Sequence, residues 1–221
     1  MNSSPESSRD FPLSRAVAVF FSHLSPRVIG GAFLISLAIR LNYAQWGTGD
    51  LVAPVVILCA WPFIEWMIHV YLLHGEPIRM LGKVRYLYSS KIHQEHHLNP
   101  DDYHNSFINL PLILFGFLNY LIVSTIVGIL AGTSVALTTM TTLLLFGLFY
   151  EWMHFLIHTP YKPKSSWYRK RWRYHRLHHF KNENYWMGVS MYFGDRVLGT
   201  MPNPGKVETS PTCRTLEGLY S

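Results

Sequence analysis

The sequence predicts an all-α integral membrane fold of four transmembrane helices with a cytoplasmic helical cap. Three observations predict it. Four stretches are apolar and long enough to cross a bilayer, whose hydrocarbon core takes about 20 residues of helix. The Lys and Arg residues avoid two of the connections and crowd the others. Ten of the 12 histidines fall into four tight clusters at the ends of the apolar stretches or in the basic segments beside them.

The 221 residues, 49% of them hydrophobic, suit one compact domain and are too apolar for a disordered chain. Residues 1–27 read as a polar cytoplasmic segment, 28–202 as a membrane-embedded domain and 203–221 as a polar C-terminal tail. The stretch through Leu24 has no apolar core with a small-residue cleavage site, so no signal peptide is expected. The first span, Val28 to Ala44, carries Arg40 near one end, where a long side chain can snorkel to the interface. Leu51 to Leu73, Phe107 to Ala131 and Ser134 to Ile157 are the other three. Gln45-Trp46-Gly47-Thr48-Gly49-Asp50 joins the first pair and Gly132-Thr133 the second, both without Lys or Arg. Basic residues collect instead at Arg9, Arg15 and Arg27, at Arg79, Lys83, Arg85 and Lys91, and from Lys162 to Lys181. By the positive-inside bias both termini and both large connections are cytoplasmic. The membrane expected is the endoplasmic reticulum in a eukaryote and the inner membrane in a bacterium.

Nineteen Lys and Arg against 13 Asp and Glu leave a formal charge of +6. Topology and lipid headgroup contact account for that surplus, so no nucleic-acid partner is expected. The interleaved run Trp167-Tyr168-Arg169-Lys170-Arg171-Trp172-Arg173 follows a membrane helix and reads as an interfacial anchor. Cys59 lies in an apolar run and Cys213 in the tail, which supports neither a disulfide framework nor a thiolate metal site.

The histidine clusters are His69 and His74; His93, His96 and His97; His154 and His158; and His175, His178 and His179. His23 and His104 stand apart. In His-x-x-His-His on a helix the first ring shares a face with the other two, so the imidazoles converge on one point. His154 and His158 have the same i,i+4 relation. His69 and His74 are five apart, about 140° around an ideal helix, so that pair requires a helix end or a local distortion. Gly75 is a plausible stop just beyond it. Glu65-Trp66-Met67-Ile68-His69 is echoed by Glu151-Trp152-Met153-His154, each followed by a His-x-x-His-His, so the site reads as two matching halves. A glutamate in an apolar helix is costly unless paired. Glu65 and Glu151 are placed to accept the ring N–H that faces away from a metal; interfacial packing is the alternative for these segments.

Imidazole suits zinc, copper, iron and nickel. A closed structural zinc site takes four ligands, and ten histidines exceed that, so two ions sharing the set is the economical arrangement. Zinc has no redox chemistry with dioxygen and iron pairs do, so the expected cofactor is two iron ions with dioxygen as co-substrate, zinc being able to replace iron in isolated protein. Bound metal needs neutral rings, so occupancy is expected to fall as pH drops through the histidine range near 6.5.

The order His-x4-His, His-x2-His-His, His-x3-His, His-x2-His-His, two clusters after each membrane hairpin, resembles the fatty acid hydroxylase and sterol desaturase superfamily. Within it the chain is most similar to the fatty acid 2-hydroxylases. Glu65 ahead of His69, the stretch His97-Leu98-Asn99-Pro100-Asp101-Asp102, and His178-His179-Phe180-Lys181-Asn182 carry the likeness. So do Gly188-Val189-Ser190 and the run Phe193-Gly194-Asp195-Arg196-Val197-Leu198-Gly199-Thr200. It extends from about Leu51 to Thr200. The resemblance implies a non-haem di-iron monooxygenase whose metal ligands are the ten clustered histidines, placing one oxygen atom on a C–H bond of a fatty acid or an acyl chain of a complex lipid. Val70 stands where relatives often have a basic residue, Gly194 where they often have an aromatic, and the basic residue usual a few positions past Asp102 is missing; these bear on substrate more than on chemistry. No fused cytochrome b5-like domain is expected, so the resemblance implies a separate electron-transfer protein as partner, docking on the basic cytoplasmic surface. A lipid desaturase or sterol-modifying oxidase of the same superfamily is the nearest alternative. A membrane metal transporter or structural zinc protein is the alternative of another class, set against it by the almost purely apolar Phe107 to Ala131 run.

Overall fold

Helices dominate the computed structural model, which describes residues 11–80 and 83–216. Arg9 and the last five residues of the tail, both part of the expectations above, lie outside the described residues. In chain order the helices are α1 Leu13–Phe20, α2 Leu24–Asn42, α3 Thr48–Met67, α4 Tyr88–Leu98, α5 Leu110–Ala131, α6 Thr133–His158, α7 Ser166–Phe180 and α8 Phe193–Leu198. A π-helical turn, Ile68–Leu73, extends α3. Strands β1 Ile78–Met80 and β2 Lys83–Arg85 pair antiparallel, with Arg79 opposite Val84, the one small departure from an all-helical chain among the described residues.

Four segments are long and apolar enough to cross a membrane: Leu24–Asn42, Thr48–Leu73, Tyr103–Ala131 and Thr133–His158. They match the expected spans in number and place, with α2 beginning four residues before Val28 and α3 three before Leu51. Only Gly132 separates α5 from α6, and its φ of 95° is one that side-chain-bearing residues rarely adopt. Asn109 caps α5, its side-chain oxygen accepting from the Leu112 amide at 3.3 Å, and Pro111 stands in the first turn, where its missing N–H costs nothing. Helix α1 falls in the segment expected to be merely polar. Ala16 and Phe20 are buried along it, as is Phe11 just ahead of it, while Leu13 and Val17 are exposed.

The described chain divides into two compact units, with crossings at 16/17, 61/62, 106/107 and 152/153. The unit made of Val17–Trp61 and Phe107–Trp152 holds most of the apolar helix. Only 11% of the most apolar stretch of the third span is buried, against 44% for the fourth, and Ile129 and Leu130 are about four-fifths exposed. An uncovered apolar face of that extent is stable only against hydrocarbon. Within this unit Arg40 does not snorkel. It is buried and ion-paired with Asp50 at 3.0 Å, donates to Thr138 Oγ1 at 2.7 Å and to the Tyr43 and Gln45 carbonyls, and stacks under Trp46 at 3.5 Å. Asp50 in turn accepts from Ser134, Thr138 and the Gly47 amide, so the pair leaves no charge uncompensated. The loop between α2 and α3 supplies the acceptors that make burial cheaper than snorkelling.

The other unit contains residues 11–16, Pro62–Ser106 and Met153 onward, and with them all ten clustered histidines. Helix α7 is capped by Ser165, which accepts from the Tyr168 amide at 3.1 Å. The interleaved run at its start is not wholly interfacial: Arg171 is buried, stacks on Trp167 at 3.5 Å and donates through Nε to the Ser190 carbonyl. Asp195, fully buried at the start of α8, accepts from the Met187 amide at 2.8 Å, the Gly188 amide at 2.7 Å and the Thr200 hydroxyl at 2.6 Å. Residues 187–200 are thereby folded onto one carboxylate.

Candidate metal centre

Ten buried histidines form two groups of five in this unit. The first is His69, His74, His93, His97 and His178; the second is His96, His154, His158, His175 and His179. Within each group one ring nitrogen per residue lies within 4.8 Å of all the others. The membrane-helix pairs go one to each group. The His-x-x-His-His triads do not converge on one point, as the sequence suggested. In each triad the i,i+4 pair joins one group and the remaining ring turns to the other, so α4 lends His96 to the second group and α7 lends His178 to the first. On a helix the i+3 and i+4 side chains lie on either side of the first residue's row, about 60° and about 40° from it and so about 100° from each other, which is enough to serve two adjacent points. The two halves match, and they exchange one ring each.

The distortion required at His69 and His74 is the π-helical turn. The His74 amide donates to the His69 carbonyl at 2.9 Å, an i→i+5 bond that winds the chain wider and brings the ring centroids to 5.0 Å. Gly75 follows because a Cβ there would collide with the Tyr71 carbonyl oxygen.

Backbone carbonyls orient the rings. The Nδ1–H of His69 donates to Met187 O, that of His97 to Cys213 O at 2.8 Å and that of His178 to Tyr185 O at 2.9 Å. In the second group His154 donates to Ser106 O at 3.1 Å and His158 to Pro100 O at 2.6 Å. A carbonyl can only accept, so in these five rings the proton is on Nδ1 and the lone pair on Nε2. The Nε2 atoms converge. His69 to His93, His93 to His74, His74 to His178, His178 to His97 and His97 to His93 are separated by 3.0–3.2 Å, and His96 to His158, His158 to His175 and His175 to His179 by 2.9–3.1 Å. For His97 and His178 both lone pairs are fixed, so two acceptors face each other at 3.2 Å with no proton to share. A cation between them removes that repulsion. Two nitrogens each about 2.1 Å from one ion, at right angles around it, are about 3.0 Å apart, so these spacings fit a shared metal and both groups could hold one.

Burial pulls the imidazoles outside the spans below the usual histidine range, and repulsion from neighbouring rings adds to it at His74, His93, His96, His175, His178 and His179. His97 is lowered to about 3, against a partial offset from its bond to Cys213 O. These rings are neutral at neutral pH, and a proton competes for them only at a lower pH than the free-imidazole value implies.

The two glutamates do something other than orient rings directly. Glu65, 3% exposed, accepts from the amides of Val189 at 2.7 Å, Ser190 and Met191 at 3.1 Å and from the Ser190 hydroxyl at 3.0 Å. It anchors the loop whose Met187 carbonyl holds His69. Glu151 accepts from the Ile108 amide at 3.0 Å. Both buried carboxylates accept from a main-chain amide two positions beyond a carbonyl that receives a histidine, and the backbone delivers the effect. The five orienting carbonyls carry no sequence signal, because every residue has one; only the Gly188-Val189-Ser190 stretch lay beside one of them, Met187. Of the isolated histidines, His23 stacks on Phe107 at 3.8 Å and His104 sits exposed beside Tyr103, neither within the groups.

Residues 54–200 match the family model described as fatty acid hydroxylase, and that interval holds all ten histidines. The chain belongs to the fatty acid hydroxylase family. This hydroxylase-family chain is therefore an oxidoreductase of the lipid-hydroxylase type, carried by apolar helices suited to a bilayer. Its fold is similar to that of the hydroxylase domain visible in the structure of full-length Scs7p, with a TM-score of 0.66 and 22% identity over 84% of this chain and 70% of that one. No curated protein matches it. At Gly194 a Cβ would strike the Pro62 carbonyl and lie 3.4 Å from Trp66 Cβ, so in this hydroxylase-family chain α8 approaches α3 too closely for a side chain.

Proposed function

We propose that this chain is a dioxygen-dependent dimetal hydroxylase of a fatty acid or of an acyl chain of a complex lipid. The carrying observation is the facing pair of fixed lone pairs on His97 and His178, 3.2 Å apart in a buried group of five. His69, His74, His93, His97 and His178 would hold one iron ion, and His96, His154, His158, His175 and His179 the other. When bound, the iron pair would supply dioxygen activation for insertion of one oxygen atom into a C–H bond, with two electrons and two protons taking the second oxygen to water. The chain's own part is to fix the rings through Met187, Tyr185, Cys213, Ser106 and Pro100 and to exclude water around them. Seven of the ten rings are 3% exposed or less.

The histidine-bearing unit lies on the cytoplasmic face in this proposal, in keeping with the basic connections. The exposed Lys162, Lys164, Arg169, Lys170 and Arg173 at and before α7 suit an acidic electron-transfer protein. Incubation of the iron-loaded protein with acyl lipid, reductant and labelled dioxygen tests the reaction. Mass spectrometry is expected to find product heavier by one labelled oxygen atom. Loss of two hydrogens without oxygen would make the chain a desaturase, and absence of both products would refute lipid oxidation.

A further inference from the structure

Residues 207–216 lie beyond the family match, in a stretch whose composition is that of a polar tail. They are held by several hydrogen bonds. The Ser210 amide donates to Lys181 O at 2.7 Å, just past the His178-His179 end of α7. The Ser210 and Thr212 hydroxyls both donate to Glu183 Oε1, at 2.9 and 2.6 Å, and Glu183 is 3% exposed. Gln94 on α4 donates to the Thr215 carbonyl at 2.9 Å. Cys213 and Leu216 are buried along the inner side. Leu216 holds a φ of 55°, a left-handed conformation unfavourable for a branched side chain that persists only where its surroundings over-determine it. The segment bridges α4 and α7, the two helices that exchange histidines.

We propose that residues 207–216 are a strap, latched by Glu183, that positions His97 and so governs how firmly the first histidine group keeps its metal. The inference rests on the assignment of a metal to each group. His97 is fully buried, so the Cys213 carbonyl is the acceptor that keeps the proton on Nδ1 and the lone pair on Nε2. With the strap displaced, that carbonyl leaves, the ring is free to rotate or to move its proton to Nε2, and one of five donors is lost. The second group has no contact of this kind with the strap: its oriented rings use Ser106 and Pro100. The effect is confined to one of two metals.

The test compares the full chain with a Ser210→Ala, Thr212→Val double variant and with a chain ending at Lys206, each loaded with ferrous iron and challenged with a chelator. The parent is expected to hold two ions. In both variants one ion should leave about 10 to 100 times faster while the other leaves at the parent's rate. Glu183→Gln, whose amide oxygen still accepts from both hydroxyls, should keep the parent's rates. Should the truncated chain fail to fold, the double variant decides alone. Unchanged release of both ions from the double variant would overturn the strap, as would equal acceleration of both, which is the signature of general loosening. A parent that binds no iron would instead refute the metal assignment and the inference with it.

Discussion

His178 and His179 are neighbours in the chain, and their rings belong to different groups of five. Removing either ring subtracts a donor from one group and leaves the other at full strength. His178→Ala is expected to lose about one ion per chain and to abolish turnover while membrane insertion persists; metal analysis beside a lipid product assay checks this, and an unchanged ion count would contradict the ligand assignment. Glu65 acts at one remove. Replacing it with Ala leaves three amides and a hydroxyl in a buried place without their acceptor, at about 1–3 kcal/mol for each group that water does not reach. Glu65→Ala should therefore lower stability by about 2–4 kcal/mol, read from unfolding in detergent, and should weaken metal binding measured at the first group through Met187. A stability equal to that of the parent would show that the loop 187–191 does not depend on this carboxylate.

At the scale of elements, the two glycines beside the metal helices are steric requirements. Gly75→Ala drives a methyl into the Tyr71 carbonyl at the end of the π-helical turn, and Gly194→Ala drives one into the Pro62 carbonyl. Each should cost about 1–3 kcal/mol. Gly75→Ala should in addition speed loss of one ion, because the turn it disturbs is what brings His74 onto the face of His69; release rates separate the two variants. The spacing of His69 and His74 required a break in helical geometry, and the sequence alone does not choose between an early stop and a wider turn, since that choice depends on the hydrogen bond to the His69 carbonyl. The division of each triad between two groups was equally out of reach. A difference of about 100° in direction between adjacent residues of one helix becomes a difference in destination only when the other helices are in place. Arg40 departs from the snorkelling expectation for a related reason: its partner Asp50 is legible as a loop residue, but nothing in the pattern says that the loop returns Gln45, Tyr43 and Trp46 to the same guanidinium.

At the scale of the whole molecule, apolar length sufficed for the four candidate spans and the helical class, because a bilayer imposes its thickness on composition directly. The strap was invisible for the opposite reason. Its contacts are main-chain carbonyls and two small hydroxyls, residue types that describe any solvated tail. The basic surface behind the histidines makes its own prediction: electron delivery from an acidic carrier should slow steeply as ionic strength rises from about 0.05 to 0.5 M, whereas turnover with a small neutral reductant should not. Stopped-flow reduction measures both, and equal salt dependence would remove α7 as the docking face. The exchange of rings between α4 and α7 also sets an order of biosynthesis. A ribosome that has delivered the chain through α6 has made four donors of the first group and three of the second, and both remain incomplete until α7 emerges. On the proposed assignment of a metal to each group, its capture is a late event that reports a finished chain, and neither half of the protein can be separated from the other and keep all five rings of either group.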